Sequence, residues 1–170
     1  MPVLFGRCRI SIERMSSMKS YFQQHHGDQL ARIFAEACEL LFYEEMTIEG
    51  GRIDLGTDDN QYGIEIKSSV GDLKSGCGLN QEFFEFGYVA APLKIACQVI
   101  GYLYMCCMDN TGFIGITDDD RYCLVKPAKA NTNVKVIGKS EHTMVMDVLC
   151  GASDKIAHLF YERNAIYERG

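Results

Sequence analysis

Proline is scarce in this chain: Pro2, Pro92 and Pro127 are the three in 170 residues. No internal repeat, low-complexity tract or long linker interrupts it. Such a length supports one compact domain with its own core. No apolar run is long enough for a bilayer. The longest, roughly Ile95 to Met108, is broken by Gln98 and Gly101, whereas a spanning helix takes about 20 residues. The first residues, MPVLFGRCRISIER, lack an extended apolar region and a small-residue cleavage site, so no signal peptide is expected. Also missing are a CxxC pair, a Walker loop, GxGxxG and HExxH, which removes the commonest nucleotide and zinc-protease signatures.

What is present starts with cysteine. Cys8, Cys38, Cys77, Cys97, Cys106, Cys107, Cys123 and Cys150 lie mostly in apolar segments, where a free thiol acts as a small hydrophobe. Cys106-Cys107 is read as core. Without an export signal, the reducing cytoplasm is the expected compartment and disulfides are not. His25, His26, His142 and His158 have no ligand-like spacing to these cysteines, so no zinc site is expected. The net charge of −6 does not suit a protein that coats DNA broadly. It is compatible with acidic residues that hold a cation. Basic residues cluster at Arg7, Arg9, Arg14 and Lys19, and again at Lys126, Lys129, Lys135 and Lys139; they read equally as DNA contacts or as solvated surface.

Periodicity gives the elements. Leu30, Ile33, Phe34, Ala37 and Leu41 recur at helical spacing and predict a helix over about Gly27 to Glu45, with Asp28 placed to cap it. Arg52 to Leu55 and Tyr62 to Lys67 alternate around turn-forming Thr57 to Gln61, which predicts a hairpin. Ser68 to Gln81 reads as loop. Phe86 to Ala91 is a strand ended by Pro92, and Leu93 to Met108 fits a buried helix. Gly112 to Thr117 and Arg121 to Val125 form a second hairpin across Asp118 to Asp120. Ser140 to about Glu168 reads as a last helix, kinked or split at Gly151, with Met144, Val148, Cys150, Ile156, Leu159 and Phe160 on its apolar side. The order implies an α/β domain with a central mixed sheet flanked by helices.

The chemistry is carried by Asp54, ten residues, then Glu65-Ile66-Lys67. In the hairpin, Ile64 and Ile66 face one side while Glu65 and Lys67 face the other. Asp54 on the adjoining strand can project with Glu65. Two carboxylates and the Ile66 backbone carbonyl make a hard-oxygen set of the kind Mg²⁺ or Mn²⁺ takes. Lys67 can orient a water or offset charge on a phosphate. The same pattern also arises on an exposed polar sheet face with a cross-strand ion pair. His25-His26 can touch a phosphate or simply mark an exposed helix start.

The segments GGRIDLGTDDNQYGIEIKSS, VGDLKSGCGLNQEFFEFGYVAAP and GFIGITDDDRYCLVKPAK resemble the PD-(D/E)XK, restriction-endonuclease-like superfamily, and within it the MmcB-like group of bacterial and phage genomes. The likeness covers about residues 27 to 135. Asp72, Ser75, Gly78, Asn80, Tyr88 and Pro92 match the group's loop and following strand, with Leu79 departing from a common His. Glu82 and Glu85 add negative charge beside this loop. The resemblance implies a restriction-endonuclease-like fold over a single domain, 1–170. It implies Asp54 and Glu65 as Mg²⁺ or Mn²⁺ ligands, Lys67 as the catalytic lysine, and a first-helix acid at Asp28 or Glu36. Ser68, Ser69, Asp72, Lys74 and Asn80 are the candidate substrate contacts. The expected activity is metal-dependent hydrolysis of DNA, as an endonuclease or repair nuclease, with a homodimer allowed. The alternative on the same fold is a non-catalytic nucleic-acid-binding or adaptor protein.

Overall fold

Three adjacent strands with every residue buried mark the centre of a sheet covered on both faces. They are β3 (Tyr62–Ile66), β4 (Phe86–Pro92) and β5 (Gly112–Ile116). In the computed structural model the described residues are 21–75, 83–151 and 154–162, with the backbone of 166–167. Around the parallel β3-β4-β5 core the sheet continues antiparallel on both sides. β1 (Tyr43–Ile48) and β2 (Gly51–Gly56) lie beyond β3, and β6 (Tyr122–Lys126) and the two-residue β7 (Ile166–Tyr167) lie beyond β5. The order in space is the order in sequence, β1 to β7. This is an open mixed sheet with helices on its faces, the α/β architecture expected.

Alternation along the strands separates two apolar layers. Ile64, Ile66, Tyr88, Ala90 and Ile114 face α1 (Tyr21–Cys38), whose Leu30 and Phe34 are fully buried against them. Ile156 and Phe160 of α5 (Lys155–Glu162) complete this layer. Val89, Ala91 and Phe113 point the other way, to Val99 and Leu103 of α3 (Ala96–Met105) and to Leu73 of the one-turn α2 (Val70–Leu73). A 3₁₀ turn over Leu93–Ile95 leads into α3. Gly112 makes close packing possible: a Cβ there would lie 2.3 Å from the Tyr88 ring and 2.7 Å from the Ala128 amide nitrogen.

Several expectations are corrected. The first helix begins by Tyr21 and stops at Cys38, so Asp28 lies inside it and caps nothing, while Glu44 and Glu45 belong to the edge strand β1. Leu41 falls past the helix end and is exposed. The hydrophobic stripe was legible; its ends were not, because Tyr43 to Ile48 mixes polar and apolar residues on an exposed edge. The expected loop after Lys67 contains α2, capped by the Ser69 hydroxyl accepting from the Asp72 amide. Of the two alternatives at Gly151 the split is the one observed: the last helix is divided into α4 (Glu141–Leu149) and α5, and the φ of +65° at Gly151 stops the first. α4 buries no residue, so Val148 and Cys150 are exposed rather than core, and α5 alone carries the packed stripe. α3 is covered on one face only: Cys97, Tyr104, Met105, Cys106 and Cys107 are exposed, and Cys106-Cys107 is not core. Cys38 is buried, and the six described cysteines carry free thiols. Cys8, Cys77 and the basic group Arg7, Arg9, Arg14 and Lys19 lie outside the described residues.

Candidate active site

Leu55 on β2 and Ile64 on β3 are register partners and both enter the layer under α1. Successive strand side chains alternate, so Asp54 and Glu65, one residue away in each strand, turn together to the opposite face. A hydrogen bond joins their carboxyl groups. Asp54 Oδ2 also accepts the Ile66 amide at 2.7 Å, a bond that ties the carboxylate across the hairpin. Lys67 follows directly. Its amide donates to the Ala90 carbonyl at 2.8 Å, extending the parallel pairing of β3 with β4. Its Nζ lies 3.8 Å from Glu65 Oε2, with Glu65 7% and Lys67 6% exposed. These are not the groups of a solvated polar face.

Burial and the Asp54 carboxylate push Glu65 up to about 8, against the pull of Lys67. Asp54 is raised as well, first by burial. Two carboxyls this close, one buried and one half-buried, do not both ionise readily. Glu65, raised to about 8, therefore favours its protonated form at neutral pH, hydrogen-bonded to Asp54. A divalent cation fits this donor set. It would replace the shared proton with two positive charges, against oxygens alone, which Mg²⁺ and Mn²⁺ prefer. The Ile66 carbonyl borders the pair and accepts the Gln23 side-chain amide at 2.9 Å; a carbonyl has a second lone pair.

Gln23 was not singled out from sequence. It comes from the first turn of α1, ahead of the expected helix start, and also donates to Asp72 Oδ2 at 3.3 Å. The same Asp72 oxygen accepts the Ser68 amide at 3.0 Å and the Ser68 hydroxyl at 3.2 Å. Ser68 and Asp72 therefore shape the turn after Lys67, and Ser69 caps α2. Lys74 closes α2 and is exposed. Asn80, Gly78, Leu79 and Glu82 lie outside the described residues. Neither first-helix acid joins the carboxyl pair in the described contacts. Asp28 hydrogen-bonds Glu44 of β1, and burial together with that bond pushes Glu44 up to about 7. Glu36 is exposed.

His25 and His26 are not at a helix start but in the second turn of α1. His26 is buried, with Nδ1 2.6 Å from the Tyr122 hydroxyl, and burial lowers it to about 4, so the ring is neutral at pH 7. Of the late basic residues, Lys126 donates to the carbonyls of Asp109 and Thr111 at 3.0 and 2.8 Å, and Lys139 bridges Glu85 and Asp147 at 3.7 and 3.3 Å. Those two serve the fold's own acceptors. Among the described residues no helix is long and apolar enough to cross a membrane. Comparison with models of protein families, with curated proteins and with solved structures finds no match.

Proposed function

We propose that this chain is a metal-dependent phosphodiesterase acting on DNA, an endonuclease or repair nuclease of the PD-(D/E)XK kind. One observation carries the reading: two hydrogen-bonded carboxyls on neighbouring strands, Glu65 buried and Asp54 half-buried, with a buried ammonium beside them. Asp54, Glu65 and the Ile66 carbonyl would hold Mg²⁺ or Mn²⁺. Such an ion, when bound, supplies a water of lowered pKa and charge stabilisation for the phosphoryl group. The chain's own groups do the rest. Asp54, pinned by the Ile66 amide, fixes the direction of the donor set. Glu65 would have to be ionised to serve as a ligand, so its proton competes with the cation. Lys67, buried beside Glu65 at the strand end, would place its ammonium against the attacking water or a phosphate oxygen. Gln23 and Asp72 keep the strand end and the following turn in place.

The test uses the purified chain with single-stranded, nicked and branched DNA in Mg²⁺ or Mn²⁺. Cleavage is expected for the wild type and lost in Asp54→Ala and Lys67→Ala. Cleavage that survives both substitutions rejects the assignment. The adaptor reading is favoured by the engagement of Ser68 and Asp72 in internal bonds. Its signature is DNA binding with a steep salt dependence and no cleavage in any metal.

A further inference from the structure

A second constellation sits one turn along α1 from Gln23. The α1 residues His25 and His26 meet Asp120, which the β5–β6 hairpin presents from a left-handed turn position, φ 60°. His25 Nε2 lies 3.3 Å from Asp120 Oδ2, and His26 Nε2 lies 3.6 Å from Asp120 Oδ1. One donor atom from each residue falls within 4.8 Å of the other two. The 3.6 Å separation is too long for a hydrogen bond. It is close to the edge of a tetrahedron: bonds of about 2.0–2.1 Å at tetrahedral angles set neighbouring donors roughly 3.3–3.4 Å apart. We infer that His25, His26 and Asp120 form a site for a borderline divalent transition-metal ion, of which Zn²⁺ is the reference, separate in donor chemistry from the all-oxygen set at Asp54 and Glu65.

Three further features support this. The first is orientation. The Tyr122 hydroxyl at 2.6 Å from His26 Nδ1 fixes that ring with Nε2 toward Asp120, and the same hydroxyl reaches Gln29 Oε1 at 3.4 Å. A ligating imidazole is ordinarily held by such a bond at its other nitrogen. The second is softness: two imidazoles and one carboxylate select zinc-like ions over Mg²⁺. The third is access. A cavity of about 260 Å³ opens on the three residues and is also lined by Lys94, Pro92 and Asp118. Three protein ligands facing a cavity leave a coordination position for water, as in zinc sites that exchange ligands rather than closed structural ones. Gln29 Nε2, 2.9 Å from His25 Nε2, occupies that nitrogen without metal and must yield it on ligation. The site lies past the carboxyl ends of β4 and β5, at Pro92 and Ile116, where open α/β sheets commonly place ligands.

The experiment is calorimetric titration of the chelator-stripped full chain with Zn²⁺, paired with Co²⁺ absorption spectroscopy. Wild type is expected to bind one equivalent tightly, with visible Co²⁺ bands of nitrogen and oxygen ligation. His25→Gln and Asp120→Asn, both partly exposed positions, should each weaken Zn²⁺ about 100-fold or more, since loss of even an outer partner costs about 10–100-fold. Circular dichroism melts of the metal-free variants within a few degrees of wild type would show that the fold is kept. Glu65→Gln should leave Zn²⁺ binding unchanged, so the two metal readings can fail independently. The inference is overturned if wild type shows no binding, if both variants bind as tightly as wild type, or if the Co²⁺ spectrum shows intense near-ultraviolet thiolate bands, which would assign the metal to the exposed cysteines.

Discussion

Replacing Glu65 with Gln tests the carboxyl pair without relying on catalysis. The amide keeps the shape and can still donate to Asp54, but it cannot ionise. In the fold Glu65 titrates at about 8, against an ordinary 4.5. The folded value is raised, so between these limits the native state holds a proton that the unfolded chain has released. Stability contributed by that proton is complete below about pH 4.5 and is lost as pH rises through about 8. At roughly 1.36 kcal/mol per pH unit, the metal-free fold at pH 7 is weaker by about 3 kcal/mol than it would be with a group that never ionises. Losing the Lys67 partner offsets part of this. The expected gain for Glu65→Gln is therefore about 2 kcal/mol, or a melting temperature about 4–8 °C higher in a chain of this size. Melting followed by circular dichroism in EDTA should show the difference widening from about pH 5 to about pH 8. In excess Mg²⁺ it should narrow or reverse, because the wild type alone gains by mass action. A variant that melts below wild type at pH 8 in EDTA, or a difference that stays constant across pH, would refute the shared-proton account.

Lys67→Ala should lower cleavage about 10²–10³-fold, the scale for losing one charge-stabilising donor, while Mn²⁺ affinity measured by calorimetry changes only a few-fold; equal losses in both would make Lys67 a ligand-organising residue instead. Gly112→Ala should destabilise the fold by about 2–3 kcal/mol in urea titration, because the added Cβ meets the Tyr88 ring and the Ala128 backbone, and backbone cannot step aside as a flexible side chain does. Asp154 is buried under Tyr88, whose hydroxyl donates to it, and burial raises it to about 6 from 3.8. Its protonated form therefore contributes stability present below about pH 3.8 and lost as pH rises through about 6. Asp154→Asn should remove roughly 2–3 kcal/mol of that slope. His26, lowered to about 4 from 6.5, acts with the opposite sign, its stability lost as pH falls from about 6.5 toward 4. The wild-type profile thus contains both, and the variant-minus-wild-type difference isolates Asp154.

The parts of this molecule that sequence pattern revealed are those where one local rule suffices. Alternation around Thr57 to Gln61 placed β2, β3 and the shared face of Asp54 and Glu65, because a tight hairpin fixes register and register fixes facing. The strand ending at Pro92 and the hairpin at Asp118 to Asp120 followed from the same logic. Where burial comes from a partner distant in sequence, pattern failed. Leu93 to Met108 read as a buried helix, yet within α3 only Val99 and Leu103 are buried and the other side of the helix is open. Met144, Val148 and Cys150 read as part of an apolar helix side, yet α4 buries none of its residues. Edge strand β1 was hidden because an exposed edge does not need alternation. The consequential miss was the start of α1. Its apolar stripe begins at Leu30, but the helix is helical from Tyr21 because Gln23 and His26 have partners on β3, α2 and β6, at Ile66, Asp72 and Tyr122. Those polar contacts span 43 to 96 positions of chain, and no local period announces them. Extending the i, i+3, i+4 spacing back from Leu30 through His26 and Phe22 was the one available sign. It matters because the face of α1 that reaches the candidate nuclease centre through Gln23 continues, three residues on, into the His–His–Asp cluster. The first turns of α1 therefore position both sites, and a substitution that unwinds them should disturb both together, whereas one at Glu65 or Asp120 should disturb one.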